Sequence, residues 1–407
     1  ARYVLGAIAK VRGDLDRAEA CCREADREFE ACNLQGMHAS ALDQLGSVFL
    51  RRGRWREAEA LYADATRIAS VAGRRTDAAV SEVNGAVAAL ARGAVDGLDA
   101  RLENTMRRLA LDAAVVQVAH AGVILAQVRY ALGDLASSRS ALEGALETLR
   151  RHHYLVALAS ATLHCAELCA ATGDLDAARR DLAAAEKLVK LREDSHNRLL
   201  AALVRTLVAR LLGDAAGAER AAAEATATAR EHPDLPNRRT LGCYLAEAVL
   251  YGLPPRFLDE ADRLLRDDDA AGADSLALPR QAVAGARAFA RRGAPEPLEH
   301  AARACEGAGV GERRAVVRLF GRRLAAEACL RLGEEHAAAK EAEQGLQAAA
   351  AAGHAWLELH FLRFLARFPG AGERRARYEE LRGRLAARLE DPGERRRFEE
   401  CWATTRS

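Results

Sequence analysis

Three clusters carry side chains whose types and spacing could do chemistry. His164, Cys165 and Cys169, with Glu167 among them, bring together an imidazole, two thiols and a carboxylate. These are zinc-ligand types, but a zinc site needs about four of them converging. On a helix Cys165 and Cys169 share one face, while His164 and Glu167 turn to another. The set is partial, and no metal is expected. His152, His153 and Tyr154 form a second cluster, for which a surface loop is the plainer reading. In the third, Arg314, Arg318 and Arg322 stand at i, i+4 and i+8 within VGERRAVVRLFGRR (310–323). Such a stripe could hold a phosphate or an acidic peptide. A solvated helix face paired with Glu312 and Glu327 accounts for it as well.

Catalytic signatures are missing. There are four lysines, Lys10, Lys187, Lys190 and Lys340, and none follows a glycine, so no Walker-type phosphate loop exists. No G-x-S-x-G, H-E-x-x-H, H-R-D or C-x-x-C occurs either. The expectation is a protein that is not an enzyme and that needs no cofactor.

The elements that position these residues are read from 41–65, ALDQLGSVFLRRGRWREAEALYADA. Leu42, Leu45, Gly46 and Phe49 lie on one face of a first helix. Gly53 breaks it, and a second helix follows with Trp55, Ala58, Tyr62 and Ala65 inward. Small Gly46 and Ala58 allow close approach, and the bulky residues fill the gaps beside them. The turn glycine recurs as Gly13, Gly53, Gly93, Gly133, Gly173 and Gly213, each 40 residues after the last. Asp14, Asp134, Asp174 and Asp214 follow four of these glycines as predicted N-caps. The small slot keeps step as Ala18, Ala58, Ala178 and Ala218, with Leu98 and Ser138 between them.

This order of Leu-x2-Leu-Gly-x2-Phe followed by Ala-x3-Tyr-x2-Ala resembles the tetratricopeptide (TPR) helix-turn-helix pattern. The 40-residue beat is longer than the usual TPR unit. It is similar to the long repeats of bacterial signalling proteins and regulatory ATPases. HEAT repeats share the length but lack this pairing. The resemblance implies an all-α, right-handed superhelical solenoid of about ten TPR-like repeats. Six regular repeats span 1–232 and degenerate ones with Pro- and Asp-rich loops span 233–292. Further repeats follow at 293–390, then a capping helix and tail at 391–407. In the degenerate stretch EHPDLPN (231–237) interrupts, Gly252 falls one residue early, and RDDDAAGAD (266–274) reads as a longer loop. Either the solenoid bends near 232–280 or that stretch tolerates variation. Register returns at Gly293, Gly333 and Ala338. Asp391-Pro392-Gly393-Glu394 is a capping-box start for the last helix, with Phe398 and Trp402 expected to point inward as a lid.

Composition sets further bounds. Sixty basic and 58 acidic residues leave a formal charge of +2, which argues against direct nucleic-acid binding. No apolar run approaches the length of a membrane span, and no signal peptide precedes the first helix. Nine cysteines without regular spacing do not read as a disulfide framework. Cys169 and Cys329 fall in the slot of Phe49, Cys305 in that of Ala65, and Cys22 in that of Tyr62. A reduced, cytoplasmic compartment is expected. The first residues begin in mid-helix without an initiator methionine, so the expectation is a piece of a longer chain.

By the same resemblance, first helices line the concave side. Their non-core faces offer Asp43, Gln44, Ser47 and Arg51, then Val83, Asn84 and Val87, then His120, Ile124, Gln127 and Tyr130. His164 and Glu167 follow, and the sixth repeat adds apolar Leu203, Val204 and Leu207. The groove suits an amphipathic helix or an extended peptide, unless its apolar parts pack on one another in a tight superhelix. The implied function is non-catalytic binding of a protein or peptide. The chain would be the sensor or docking region of a larger regulator that carries a catalytic or DNA-binding domain. The alternatives are a small-molecule receptor and, more weakly, a self-assembling scaffold. A closed pocket with polar groups near Gln127 and Tyr130 would favour the receptor. Asn84→Ala combined with Gln127→Ala is expected to weaken binding and leave helicity unchanged.

Overall fold

The computed structural model describes residues 1–192, 194–232, 241–270, 277–291, 294–307 and 314–403. Helices α1 (Arg2–Val11), α2 (Leu15–Ala31), α3 (Gln35–Arg51) and α4 (Trp55–Val71) form the first two hairpins. The next four hairpins are built from α5 (Arg75–Arg92), α6 (Leu98–Leu111), α7 (Val115–Leu132), α8 (Leu135–Arg151), α9 (Leu155–Ala171), α10 (Leu175–Arg192), α11 (Ser195–Leu211) and α12 (Ala215–Glu231). Then come α13 (Leu241–Leu250), α14 (Arg256–Ala270), α15 (Ala277–Arg291) and α16 (Glu296–Gly307). The last are α17 (Arg314–Arg331), α18 (Glu335–Ala352), α19 (Ala355–Leu365), α20 (Gly372–Ala387) and α21 (Pro392–Cys401). Neighbours in sequence pack side by side, and no strand occurs among the described residues. Among the described residues the protein is an all-α solenoid of ten hairpins followed by a terminal helix.

The forty-residue beat has a backbone cause. All six turn glycines are left-handed, with φ from +75° at Gly53 to +88° at Gly133, a region closed to most side chains. The joints between repeats are left-handed too, at Asn33, Gly73, Ala113 and His153. Sequence alone did not mark them, because three of the four carry side chains. His152, His153 and Tyr154 are one such joint, and all three are exposed.

Asp14, Asp134, Asp174 and Asp214 cap as expected, each accepting a backbone N–H three residues on at 2.8–3.1 Å. At Asp134 the Ser137 side chain, and after it the Ser137 backbone N–H, hydrogen-bond the carboxyl and hold it below its ordinary range. Asp134→Ala should therefore cost about 1 kcal/mol, read as a lower urea midpoint.

Close approach is also as expected. A Cβ on Gly46 would stand 2.8 Å from the Tyr62 ring, and one on Gly6 would stand 2.9 Å from Cys22 Sγ, in the same slot one repeat earlier. Cys22 and Cys305 are fully enclosed, and Cys169 nearly so. All nine cysteines are free thiols. Leu98 fits the small slot because α6 starts there, after a left-handed turn at Gly97, later than the register of the other second helices.

Two expectations change. Residues 266–270 continue α14 and are not loop. Helix α7, Val115–Leu132, is long and apolar enough by composition to cross a bilayer, although 61% of it is buried inside the array. The segments 233–240 and 271–276, and Gly293, lie outside the described residues.

The sequence pattern did not show that the array returns onto itself. A Cβ on Gly133, in the fourth hairpin, would touch Ala315 and Ala352 of the ninth at 3.4 and 3.8 Å. One on Gly173, in the fifth, would meet Leu385 and Ala355 of the tenth at 2.3 and 3.3 Å. One on Gly213, in the sixth, would meet Arg397 and Cys401 of α21. Each glycine turn thus seats an element about five repeats further on. Arg388 donates to Thr172 O at 3.2 Å, the Glu390 N–H to Asp176 at 2.7 Å, and Arg179 pairs with Glu394.

The capping helix starts as read. Asp391 accepts the Glu394 N–H at 2.7 Å with Pro392 in the first turn, and Phe398 and Trp402 are buried. Its lid covers more than the last repeat. Trp402 stacks near Trp356 and Tyr251, with ring centroids at 5.7 and 6.0 Å, and its indole N–H donates to Leu211 O at 3.1 Å.

Within this seam His360 is buried, and neither ring nitrogen has a hydrogen-bond partner among the described residues. Burial, reinforced by Arg323, Arg363 and Arg367, pushes its pKa well below 6.5. The unfolded chain therefore takes up this proton first, and the folded state loses stability as pH falls below about 6.5. His360→Phe should leave stability at neutral pH unchanged or higher and flatten that acid limb. Melting the two proteins between pH 5 and 8 tests this.

Candidate ligand chamber on the concave side

Residues of several first helices line one pocket, and the polar residues of these helices are spent in three ways. Near the start, Asp43 accepts from Ser81 at 2.8 Å and from the Asn84 amide at 3.1 Å, tying α3 to α5. Gln44 accepts from Cys22 at 3.7 Å, Ser47 donates to Asp43 O at 3.2 Å, and Arg51 donates to Lys10 O. These four residues are half-buried and knit the first three repeats together.

Further along, the Gln127 amide nitrogen donates to His164 Nε2. That leaves the ring proton on Nδ1, facing Glu167 at 4.0 Å. Glu167 is buried and accepts from Tyr130 at 3.4 Å and Tyr244 at 2.9 Å. Tyr130 and Glu167 are therefore not open groove residues. The seventh hairpin and the Trp356 end of α19 close over them, around a void of only about 20 Å³. Leu203, Val204 and Leu207 are buried alongside. In this part the apolar surfaces pack on each other.

Between these regions the concave side opens into a chamber of about 1020 Å³. Val83, Asn84, His120, Ile124 and Gln127 reach it from α5 and α7, so five of the expected residues share one space. Lys10 and Val11 of the first repeat and His196 and Asn197 of the sixth line it as well. The walls are aliphatic, from Val80, Val83, Val123, Ile124 and Val156 among others.

Lys10, His196 and Asn197 were missed, yet a signal existed. Val116, Val156 and His196 occupy one slot of the unit, as do Gln117, Ala157 and Asn197, and as do Val80, His120 and Ser160. Stacking the repeats by slot, rather than reading helix faces singly, would have gathered His196 and Asn197, though not Lys10.

Burial governs the electrostatics. It lowers the pKa of Lys10, with Asp43 opposing, and lowers that of His120. It also lowers that of His196, where Asp194 opposes while His164 and Arg51 add to the effect. Neither the Lys10 ammonium nor the His120 ring has a hydrogen-bond partner among the described residues. No carboxylate lines the chamber.

The other expected clusters do not assemble. Cys165 and Cys169 lie with Asp181 and Arg139, and burial pushes the Cys165 thiol up to about 12. Among the described residues no group of three or more His, Cys, Asp or Glu side chains could hold a metal. Arg322 pairs with Glu341 at 2.7 Å. Arg318 is exposed beside a cleft against Leu132 and Gly133. The Arg314 side chain lies outside the described residues, and Glu327 pairs with Arg323 and Arg331 instead.

No protein-family description matches the chain, and no curated protein matches it. One solved structure that aligns is titled "Circular tandem repeat protein with novel repeat topology and enhanced subunit contact surfaces". It is 16% identical over 98% of this chain and 93% of that one, with a TM-score of 0.18. So low a score carries no argument about closure or ligands. The chain is a helical repeat array. That fold suits a binding or scaffold role.

Proposed function

We propose that this array is a TPR-like, non-catalytic binding module that takes its ligand in the chamber between its first and sixth repeats. It would serve as the cytoplasmic sensor or docking region of a signalling protein. One observation carries the reading. The superhelix is sealed downstream at Tyr130, Glu167 and Tyr244, so the concave side presents a bounded space and not a continuous groove. A volume of about 1020 Å³ with aliphatic walls and a few polar groups resembles a small-ligand pocket. This favours the receptor form over a long peptide laid along the curve.

A thermal-shift screen of small molecules and short peptides against the full chain tests it. Stabilising compounds should lose their effect in Ser160→Trp, which places an indole in the chamber. Hits that stabilise that variant equally would move the site elsewhere. Asn84→Ala with Gln127→Ala should weaken binding about tenfold or more. Because the two amides hold Asp43 and His164, the pair should also cost about 1–3 kcal/mol per lost partner. Helicity at 20 °C should persist while the melting midpoint drops.

A further inference from the structure

The chamber's polar inventory is lopsided. Its ionisable lining consists of Lys10, three histidines (His120, His153 and His196) and Tyr154, with no aspartate or glutamate. Asp43, the nearest carboxylate to Lys10, already accepts from Ser81 and Asn84. A half-buried ammonium without a hydrogen-bonded counter-charge is disfavoured, as the lowered proton affinities of Lys10 and His120 reflect. An anion arriving there would supply what the chain does not. Behind it, Val83, Val123 and Ile124 offer no polar partner and suit an apolar body. On the far side Tyr130 and Tyr244 close over Glu167.

We propose that the chamber binds a small amphipathic organic acid, its anionic head against Lys10 and His120 and its apolar body along Val83, Val123 and Ile124. This rests on the chamber being the binding site. Because its lining includes the first and sixth repeats, the bound acid ties successive turns of the superhelix together. The head group draws the His120 proton tighter, and since burial lowers that ring's pKa from 6.5, binding near neutral pH takes up protons. His153 and His196 also face the site, with Asp43 and Asp194 behind it.

The test is fluorescence titration of the full chain with dansylaminoundecanoate and with its uncharged primary amide, which has the same apolar body. The acid should bind at least about tenfold tighter than the amide. Lys10→Gln combined with His120→Gln should erase that preference while leaving amide binding within about twofold, and Ser160→Trp should abolish both. Calorimetry of the acid in two buffers of different ionisation enthalpy should register proton uptake. Equal binding of acid and amide, both blocked by Ser160→Trp, would overturn the acid preference and leave the chamber as an apolar site. Acid binding that survives Ser160→Trp would overturn the placement. Failure of both probes to bind at about 1 mM would overturn the ligand class, with the chamber itself then judged by the screen above. Comparing acid with amide on the unmodified protein needs no variant to fold.

Discussion

Truncating Trp402 to alanine should destabilise the C-terminal hairpins by about 3–5 kcal/mol, the usual cost of emptying a buried aromatic site. The ring is 2% exposed and lies against Trp356, Tyr251 and Phe398. Its N–H also satisfies Leu211 O, at the end of α11 in the sixth repeat. The loss should therefore appear at two places far apart in sequence. Hydrogen exchange should quicken in α19–α21 and at the α11–α12 turn. Trp402→Phe keeps most of the packing and removes only the donor, so it should cost about 1–3 kcal/mol. Faster exchange confined to the last hairpin would mean that the lid covers only its own repeat.

The second large effect concerns two glycines with the same backbone. Gly213 and Gly333 have φ of +77° and +79°, and alanine at either pays about 1–2 kcal/mol for the left-handed conformation. At Gly333 nothing lies within 4 Å of an added Cβ. At Gly213 the Cβ would stand 2.7 Å from Arg397 O and 3.1 Å from Cys401 Cβ, and backbone on α21 must move. Gly213→Ala should therefore cost about 3 kcal/mol or more, against about 1–2 for Gly333→Ala. The first should also loosen α21, while the second should be felt only at its own turn. Urea melts followed at Trp402 by fluorescence measure both. Equal midpoints for the two variants would dismiss the seam as a source of stability. Because arrays can unfold in parts, exchange data should accompany the melts.

The chamber and the seam follow from one geometric fact. The array meets itself about five repeats on: the fourth hairpin with the ninth, the fifth with the tenth, and the sixth with α21. The same offset sets the first repeat opposite the sixth, where Lys10 and His196 line the chamber. Where small turn residues meet small or flexible partners, the turns seal. Between the first repeat and the sixth a cavity remains, lined by Lys10, Val11, His196 and Asn197. Retention of ligand should thus depend on the seam, since Trp402 and Gly213 hold the sixth repeat in place.

Much of this was legible before any coordinates. Gly53 and its equivalents marked the six turns within hairpins from Gly13 to Gly213 because only glycine enters left-handed backbone without cost, and that requirement is local. Asp14, Asp134, Asp174 and Asp214 marked helix starts for the same reason: the cap and the N–H it satisfies are three residues apart. Gly46 against Tyr62, and Gly6 against Cys22, showed close approach because two helices joined by a short turn have no other neighbour to press on. Asp391, Pro392, Phe398 and Trp402 announced a last helix with a buried face.

What sequence left undecided is what the repeats do to each other at a distance. Tyr130 and Glu167 sat on the correct face of their helices, yet they are buried, because Tyr244 and the Trp356 end of the tenth repeat come down on them. Lys10 carried no motif and became part of the chamber lining only when the sixth repeat arrived opposite. The twist between neighbouring hairpins is a small angle set by many side chains at once. Summed over five repeats, it determines whether a turn seals or stays open. A repeat pattern records the unit and its partner, and the closure of the superhelix belongs to the accumulated rotation.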